Sequence, residues 1–292
     1  MKASCNKYFL NKNRLDRRLK NSGFTLLELI IVIIILGIMS VGIAGFITLS
    51  TQTYLNVTER DKLLSSARFA VERLNREVRN AVPNSLRTFN NNSAQCLEFT
   101  PIKASTMYID IPVVPDDKSG EIEVVSFVDS SGNPFACTGF CLDYVAVYPL
   151  QSSDIYDFNV NSGKGKVTAF KAFSNLPGSI WTVPIRPNAG MIFDEHSPTK
   201  RAYVFDAPVS YCVNNSELRR YFGHSFTANQ SLTPTGGFVL MAESLTFDQN
   251  DLPFKVLPAT LQRNAMVQIK LNFDRDGEVV SFNNDIHINN VP

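Results

Sequence analysis

Histidine is scarce in this chain, and that scarcity leaves little room for enzyme chemistry. The three imidazoles, His196, His224 and His287, lie far apart, and none belongs to an H-E-x-x-H, G-x-S-x-G or similar constellation. A non-enzymatic protein without a cofactor is expected. Basic residues are equally scarce where a nucleic acid would need them. Residues 1 to 23 hold seven of them (Lys2, Lys7, Lys12, Arg14, Arg17, Arg18, Lys20) against Asp16, a net +6. The whole chain of 292 residues carries only +1, which leaves −5 on residues 24 to 292 and argues against a nucleic-acid partner. Internal repeats are absent, and the only low-complexity stretch is the polar run from Asn90 to Ser93.

Charge is missing altogether from Leu29 to Leu49, a run of 21 residues. As a helix it would span roughly 30 Å, the thickness of a bilayer's hydrocarbon core. One carboxylate, Glu28, stands at its head. An acid at mid-membrane costs about 2.5–3.5 kcal/mol, less near the interface, so such a residue needs a partner and marks a function. The basic segment ahead of the run stays in the cytoplasm by the positive-inside rule, and the chain beyond the run is exported. A Sec signal peptide cut after Ala44 is the competing reading, because Gly42-Ile43-Ala44 satisfies the small-residue rule. Against it, a typical signal-peptide apolar region contains no acid.

Neither glycine nor proline occurs between Thr51 and Val82, and the helical signal continues there. Val57, Leu64, Val71 and Val78 recur at heptad spacing, with Ala67, Leu74 and Ala81 at the second position. Arg60, Arg68, Arg73 and Arg79 mark the other face, and Glu72 with Arg76 has the favourable i,i+4 order. A coiled coil would fit this pattern. Four heptads closed by Pro83 fit better a stripe that packs on its own domain.

Beyond Pro83 the texture turns to short alternating runs bounded by Gly, Pro, Asn and Asp. Strands are predicted over Cys96–Ile102, Ile122–Val128, Tyr144–Leu150, Phe238–Phe247 and Ala265–Phe273. Hairpins are predicted around Asn214–Glu217 and at Asp276-Gly277. The fold class is therefore α+β: a long N-terminal helix, apolar in its first half and amphipathic in its second, packed on an antiparallel sheet with long loops. The segments are 1–23, a basic leader; 24–49, the transmembrane half of the helix; 50–82, its amphipathic half; and 83–292, one β-rich domain with a single sizeable core.

Four cysteines lie outside the leader's Cys5: Cys96, Cys137, Cys141 and Cys212. An even number in an exported domain predicts two disulfides, with three pairings open. Their placement leads us to expect Cys137 with Cys141, closing a small loop, and Cys96 with Cys212, joining two strands. Four buried free thiols are the alternative. A C-x3-C pair lacking a second close ligand pair does not define a metal site, so no metal is assigned. Asp274–Glu278 has the look of a calcium loop but lacks its further oxygen ligands, and is taken as a hairpin turn. Trp181, Tyr144, Tyr148, Tyr156 and Phe158 could line a glycan-binding surface, although core packing accounts for most such aromatics.

Gly23-Phe24-Thr25-Leu26-Leu27-Glu28, behind a basic leader and ahead of an uncharged run, resembles the prepilin signature of type IV pilins and type II secretion pseudopilins. The resemblance implies cleavage between Gly23 and Phe24 by a prepilin peptidase and N-methylation of Phe24. It also implies retention of the apolar segment as the filament-forming helix, with Glu28 meeting a neighbouring subunit's terminal amine. Many filament-forming pilins have a proline where this chain has Gly45; Gly37, Gly42 and Gly45 imply either local stretching of the helix or close helix approach.

Residues 60–85, 197–221 and 285–292 are similar to the MshO minor pilins of mannose-sensitive haemagglutinin (MSHA) pili. At lower resolution they are similar to W-type minor pilins and J-type minor pseudopilins. The implied role is initiation or tip assembly of a type IV pilus, with a J-type subunit of a secretion pseudopilus or a glycan-binding tip adhesin as alternatives. Implied partners are prepilin peptidase, other major and minor pilins through the N-terminal helix, and an inner-membrane assembly platform. The implied location is the inner membrane of a Gram-negative bacterium, single-pass with a periplasmic domain, and then the pilus.

Overall fold

A computed structural model describes residues 23–139, 141–174, 176–258, 265–275 and 277–288. The basic leader as far as Ser22, Asp276 of the expected turn and the last four residues lie outside the described residues. The chain forms two compact units that divide between Glu59 and Arg60.

In chain order the first elements are α1 (Leu26–Arg79), β1 (Arg87–Asn90), β2 (Ala94–Phe99), β3 (Ala104–Asp110), β4 (Glu121–Val125) and β5 (Tyr144–Val147). Next come α2 (Ser152–Tyr156), β6 (Lys164–Gly165), β7 (Val167–Ala169), β8 (Ile180–Pro184), β9 (Ile192–Phe193) and β10 (Arg201–Phe205). The last are β11 (Val209–Asn214), β12 (Glu217–Phe222), β13 (Gly237–Glu243), β14 (Leu245–Thr246), β15 (Phe254–Leu257), β16 (Met266–Arg275) and β17 (Glu278–His287).

The part of α1 within the second unit packs by one stripe: Leu63, Ala67, Ala70, Val71, Leu74 and Val78 are buried. Leu63, not Leu64, leads this stripe, and Val57, in the first unit, is exposed. The reason is geometric. A straight helix turns every 3.6 residues, so without a supercoiling partner a strict heptad drifts off the contact line. The ion pair along the helix is likewise Arg73 with Glu77, Nε to Oε1 at 3.0 Å, in place of Glu72 with Arg76. Arg73 is thus turned towards the domain, and Arg60 reaches Glu278 at 2.8 Å.

The helix ends at Arg79, three residues short of the expected Val82. Residue 82 precedes Pro83, whose ring disfavours helical backbone there. The released chain is captured at once: Val82 N–H donates to Thr100 O at 2.8 Å, and Ile102 N–H to Asn80 O at 2.8 Å.

Against this stripe lies the antiparallel sheet β1-β2-β11-β12-β13. Leu97, Phe99, Tyr211, Val213 and Leu218 share a core with the helix residues. The β11–β12 hairpin turns at Asn215 and Ser216, both at positive φ (50° and 63°), as a two-residue type I′ hairpin requires. A four-stranded sheet completes the same core. In it β16 pairs with β17 along its whole length, and with β14 and β15 on its other side. The predicted strand Phe238–Phe247 is split into β13 and β14 by Ser244, whose φ is 63°. The amide of Gln95 ties the two sheets together, donating to Phe254 O at 2.8 Å and accepting from Phe254 N–H at 2.9 Å.

The expectation of a single core is corrected by residues 104–205. Inserted between the neighbouring strands β2 and β11, they build a second antiparallel sheet, β7-β5-β10-β3-β4-β8, and the small parallel pair β6-β9. This sheet has its own core, which includes Tyr108, Val124, Val145, Phe170, Trp181, Val183 and Phe193. What reads in sequence as long loops is largely this layer, because its strands are short and interrupted. The β-rich part still forms one compact unit with the end of α1.

Candidate functional site

Gly23, Phe24 and Thr25 precede α1 without regular structure, and Phe24 is 79% exposed. The peptide bond between Gly23 and Phe24 therefore lies outside helical hydrogen bonding. Thr25 caps the helix: its Oγ1 accepts the Glu28 N–H at 3.2 Å, and its carbonyl accepts the Leu29 N–H at 3.2 Å. Sequence reading passed over this residue, although Thr25-Leu26-Leu27-Glu28 carries the T-x-x-E signature of a capping box. Glu28 stands in the first turn, where the helix dipole favours an acid.

Among the described residues of the first unit, nothing packs on the apolar segment beyond Glu28. Its side chains are exposed as far as Leu49, and Gly37, Gly42 and Gly45 interrupt neither the helix nor any contact. Thr48, Thr51, Thr53 and Thr58 donate their hydroxyls to the carbonyls four residues earlier, at 2.8–3.0 Å. Hydroxyls satisfied inside the helix suit surroundings that offer no water.

The remaining candidates lie in the second unit. Cys96 and Cys212 are directly opposite partners on β2 and β11, bonded with Cα atoms 4.0 Å apart. Cys137 and Cys141 are bonded across a short loop, Cα atoms 5.5 Å apart. Asp143 joins the second pair, and its ligand atom and the two sulfurs lie within 4.8 Å of one another. The sulfurs are bonded to each other, and Lys103 Nζ lies 2.5 Å from Asp143 Oδ1, so the trio does not form an open metal centre.

His224 meets Glu98 and Ser210, three residue types that suggest a hydrolase triad. Both partners sit on the same nitrogen, Nε2, Glu98 Oε1 at 2.9 Å and Ser210 Oγ at 3.2 Å, so no relay runs through the ring. Glu98 is instead the centre of a buried clamp, with Arg87 Nε at 2.6 Å. Arg87 also holds the carbonyls of Thr227 and Ala228 at 2.8 Å and stacks over the Tyr156 ring at 3.6 Å.

Of the aromatics considered for a glycan surface, Trp181 and Tyr156 are buried. Tyr144 and Phe158 do line a cavity of about 820 Å³, together with Phe226. Glu278 of the calcium-like stretch is engaged by Arg60. Among the described residues, the one group of side chains of metal-ligating type that comes together is Cys137, Cys141 and Asp143.

The pattern of the prokaryotic N-terminal methylation motif matches residues 18–44. No curated protein and no solved structure matches the chain. Taken together, the chain has a type IV pilin-like α+β fold with an N-terminal methylation motif and, among the described residues, one helix long and apolar enough to cross a membrane. These features are consistent with the pilin and pseudopilin superfamily.

Proposed function

We propose that this chain is a minor pilin, cut by a prepilin peptidase between Gly23 and Phe24, N-methylated on Phe24, and used in the initiation or tip assembly of an MSHA-like type IV pilus. The observation that carries the reading is the methylation motif over residues 18–44 leading into an apolar, membrane-length helix whose side chains are exposed. Such a helix needs lipid or neighbouring subunits around it, and Glu28 needs a cation within them. The partners are then other pilins, met helix to helix, and an inner-membrane assembly platform, with residues 83–292 in the periplasm.

The N-terminal residue of the mature chain tests the processing step. N-methylated Phe24 is expected, and a chain beginning at Gly45 ends the reading. Glu28→Ala tests the assembly step. The variant should insert and be cleaved but fail to support wild-type pilus number, since removing one member of a buried charge pair commonly costs about 3–5 kcal/mol. Glu28→Asp should be intermediate.

A J-type subunit of a secretion pseudopilus would use the same chemistry in another machine, and neighbouring genes distinguish the two. The tip-adhesin reading draws on the cavity beside Tyr144 and Phe158. Binding to a glycan array would favour it.

A further inference from the structure

We propose that the Cys137–Cys141 bridge is a thiol–disulfide exchange site, opened and closed by an external dithiol while the fold persists, with Asp143 holding the reduced Cys137. This does not depend on the pilin reading. It begins from a contact that the bonded state cannot use. Asp143 is buried, and its Oδ2 lies 3.0 Å from Cys137 Sγ. A disulfide sulfur carries no hydrogen, so two lone-pair-bearing atoms face each other there. Lys103 serves the other carboxylate oxygen. Opening the bridge places a thiol S–H on Cys137 within reach of Asp143 Oδ2, a charge-assisted hydrogen bond that the bonded state cannot make.

Access and anchoring favour the same bridge. Cys137, Cys141 and Asp143 line the 820 Å³ cavity, which Cys96 and Cys212 do not line. The latter pair sits between neighbouring strands, with Tyr221 and Leu232 packed on it. Cys137 is held by its backbone whether or not it is bonded, exchanging N–H···O bonds of 2.9 and 2.8 Å with Phe173. Its bridge closes a separation of 4 residues against 116 for the other, so opening it relaxes the unfolded chain far less.

In the exchange, a thiolate of the dithiol attacks Cys141 Sγ, the sulfur remote from the carboxylate, and the Cys137–Cys141 bond breaks. The electron pair leaves on Cys137, which takes a proton from water and donates it to Asp143 Oδ2. Lys103 offsets the carboxylate's charge beside the leaving sulfur. The second thiol of the dithiol then displaces Cys141, which also becomes a thiol. Two electrons and two protons pass to the chain, and the dithiol becomes a cyclic disulfide.

The test is a dithiothreitol titration of the full chain in detergent, trapped by alkylation and read by peptide mass spectrometry alongside far-UV circular dichroism. Cys137 and Cys141 should be alkylated at a dithiol concentration at least about tenfold below that which exposes Cys96 and Cys212, with the spectrum unchanged and the bridge restored by oxidised dithiothreitol. Asp143→Asn should raise the dithiol-to-disulfide ratio at midpoint about tenfold, the size of one charge-assisted hydrogen bond. Asp206→Asn, which removes a cavity carboxylate 3.7 Å from Lys103, should leave the midpoint in place. Simultaneous opening of both bridges, opening only with loss of the fold, or a wild-type midpoint in Asp143→Asn overturns the proposal. If Asp143→Asn does not fold, the wild-type order of reduction decides alone.

Discussion

Glu77 on α1 receives the Nε–H of Arg220 on β12 at 2.8 Å, and this pair is where the helix is keyed to its sheet. Tyr211 on β11 donates to the same carboxylate at 3.1 Å, and Arg73 at 3.0 Å. One acid thus collects three donors from the helix and its sheet at the edge of the core. Its side chain is only 17% exposed and that of Arg220 14%, so solvent cannot replace either partner cheaply.

Glu77→Ala should therefore destabilise the second unit by on the order of 2–4 kcal/mol, since it strands buried donors. Glu72→Ala, on the exposed face, should change stability by less than about 0.5 kcal/mol. Urea unfolding of the full chain in detergent, followed by tyrosine fluorescence, compares the two. Equal effects would show that the carboxylate does not key the helix.

Two buried phenols set an alkaline limit. Burial, with Glu98 nearby, pushes the Tyr156 hydroxyl well above the ordinary tyrosine value of 10.0, and burial beside Glu77 does the same for Tyr211. A raised folded-state value means that the unfolded chain loses its protons first. The contribution is complete below pH 10 and is lost progressively as pH rises towards the folded-state values. The melting temperature should fall as pH rises from about 10 to about 11.5, above the ordinary value, and fall less steeply in Tyr156→Phe.

The two disulfides should differ in what their removal costs. Replacing Cys96 and Cys212 by Ala releases a closure of 116 residues, worth about 5 kcal/mol in the chain-entropy account. Replacing Cys137 and Cys141 releases a closure of 4, worth about 2 kcal/mol. Denaturant midpoints of the two double variants, at matched slopes, check the order.

Removing the Thr25 cap should loosen the start of α1 without altering its course. Thr25→Ala should lose about 1 kcal/mol locally, or roughly a fivefold faster exchange of the Glu28 amide. Hydrogen exchange in detergent resolves this, with amides near Leu63 unchanged as the internal reference.

Much of the first unit was legible because its determinants are local. An uncharged run and an acid at its head are local features, where spacing along the chain is spacing in space; the Thr25 cap three residues before that acid is equally local but went unread. The β11–β12 hairpin was legible for the same reason, since Asn215 and Ser216 tolerate the positive φ that the turn requires. The α+β class came from periodicity alone.

Tertiary structure decided what depends on partners distant in sequence. Whether Leu63 or Leu64 faces inward depends on where the sheet lies, and Arg73 pairs with Glu77 because Arg220, 143 residues further on, shares that carboxylate. Two strands of the second sheet were legible, β4 overlapping Ile122–Val128 and β5 within Tyr144–Leu150, but its separate core was not, because strands of two to seven residues carry too few alternations to declare a face. Asp143 beside Cys137 was equally hidden. Six positions in sequence do not make a contact until Phe173 and Lys103, from other strands and loops, fix the backbone of one and the carboxylate of the other. Local patterning by itself determined the helix, its membrane-length run and the cleavage-like junction; long-range packing chose which charges are buried, which sulfurs meet and which of them a carboxylate touches.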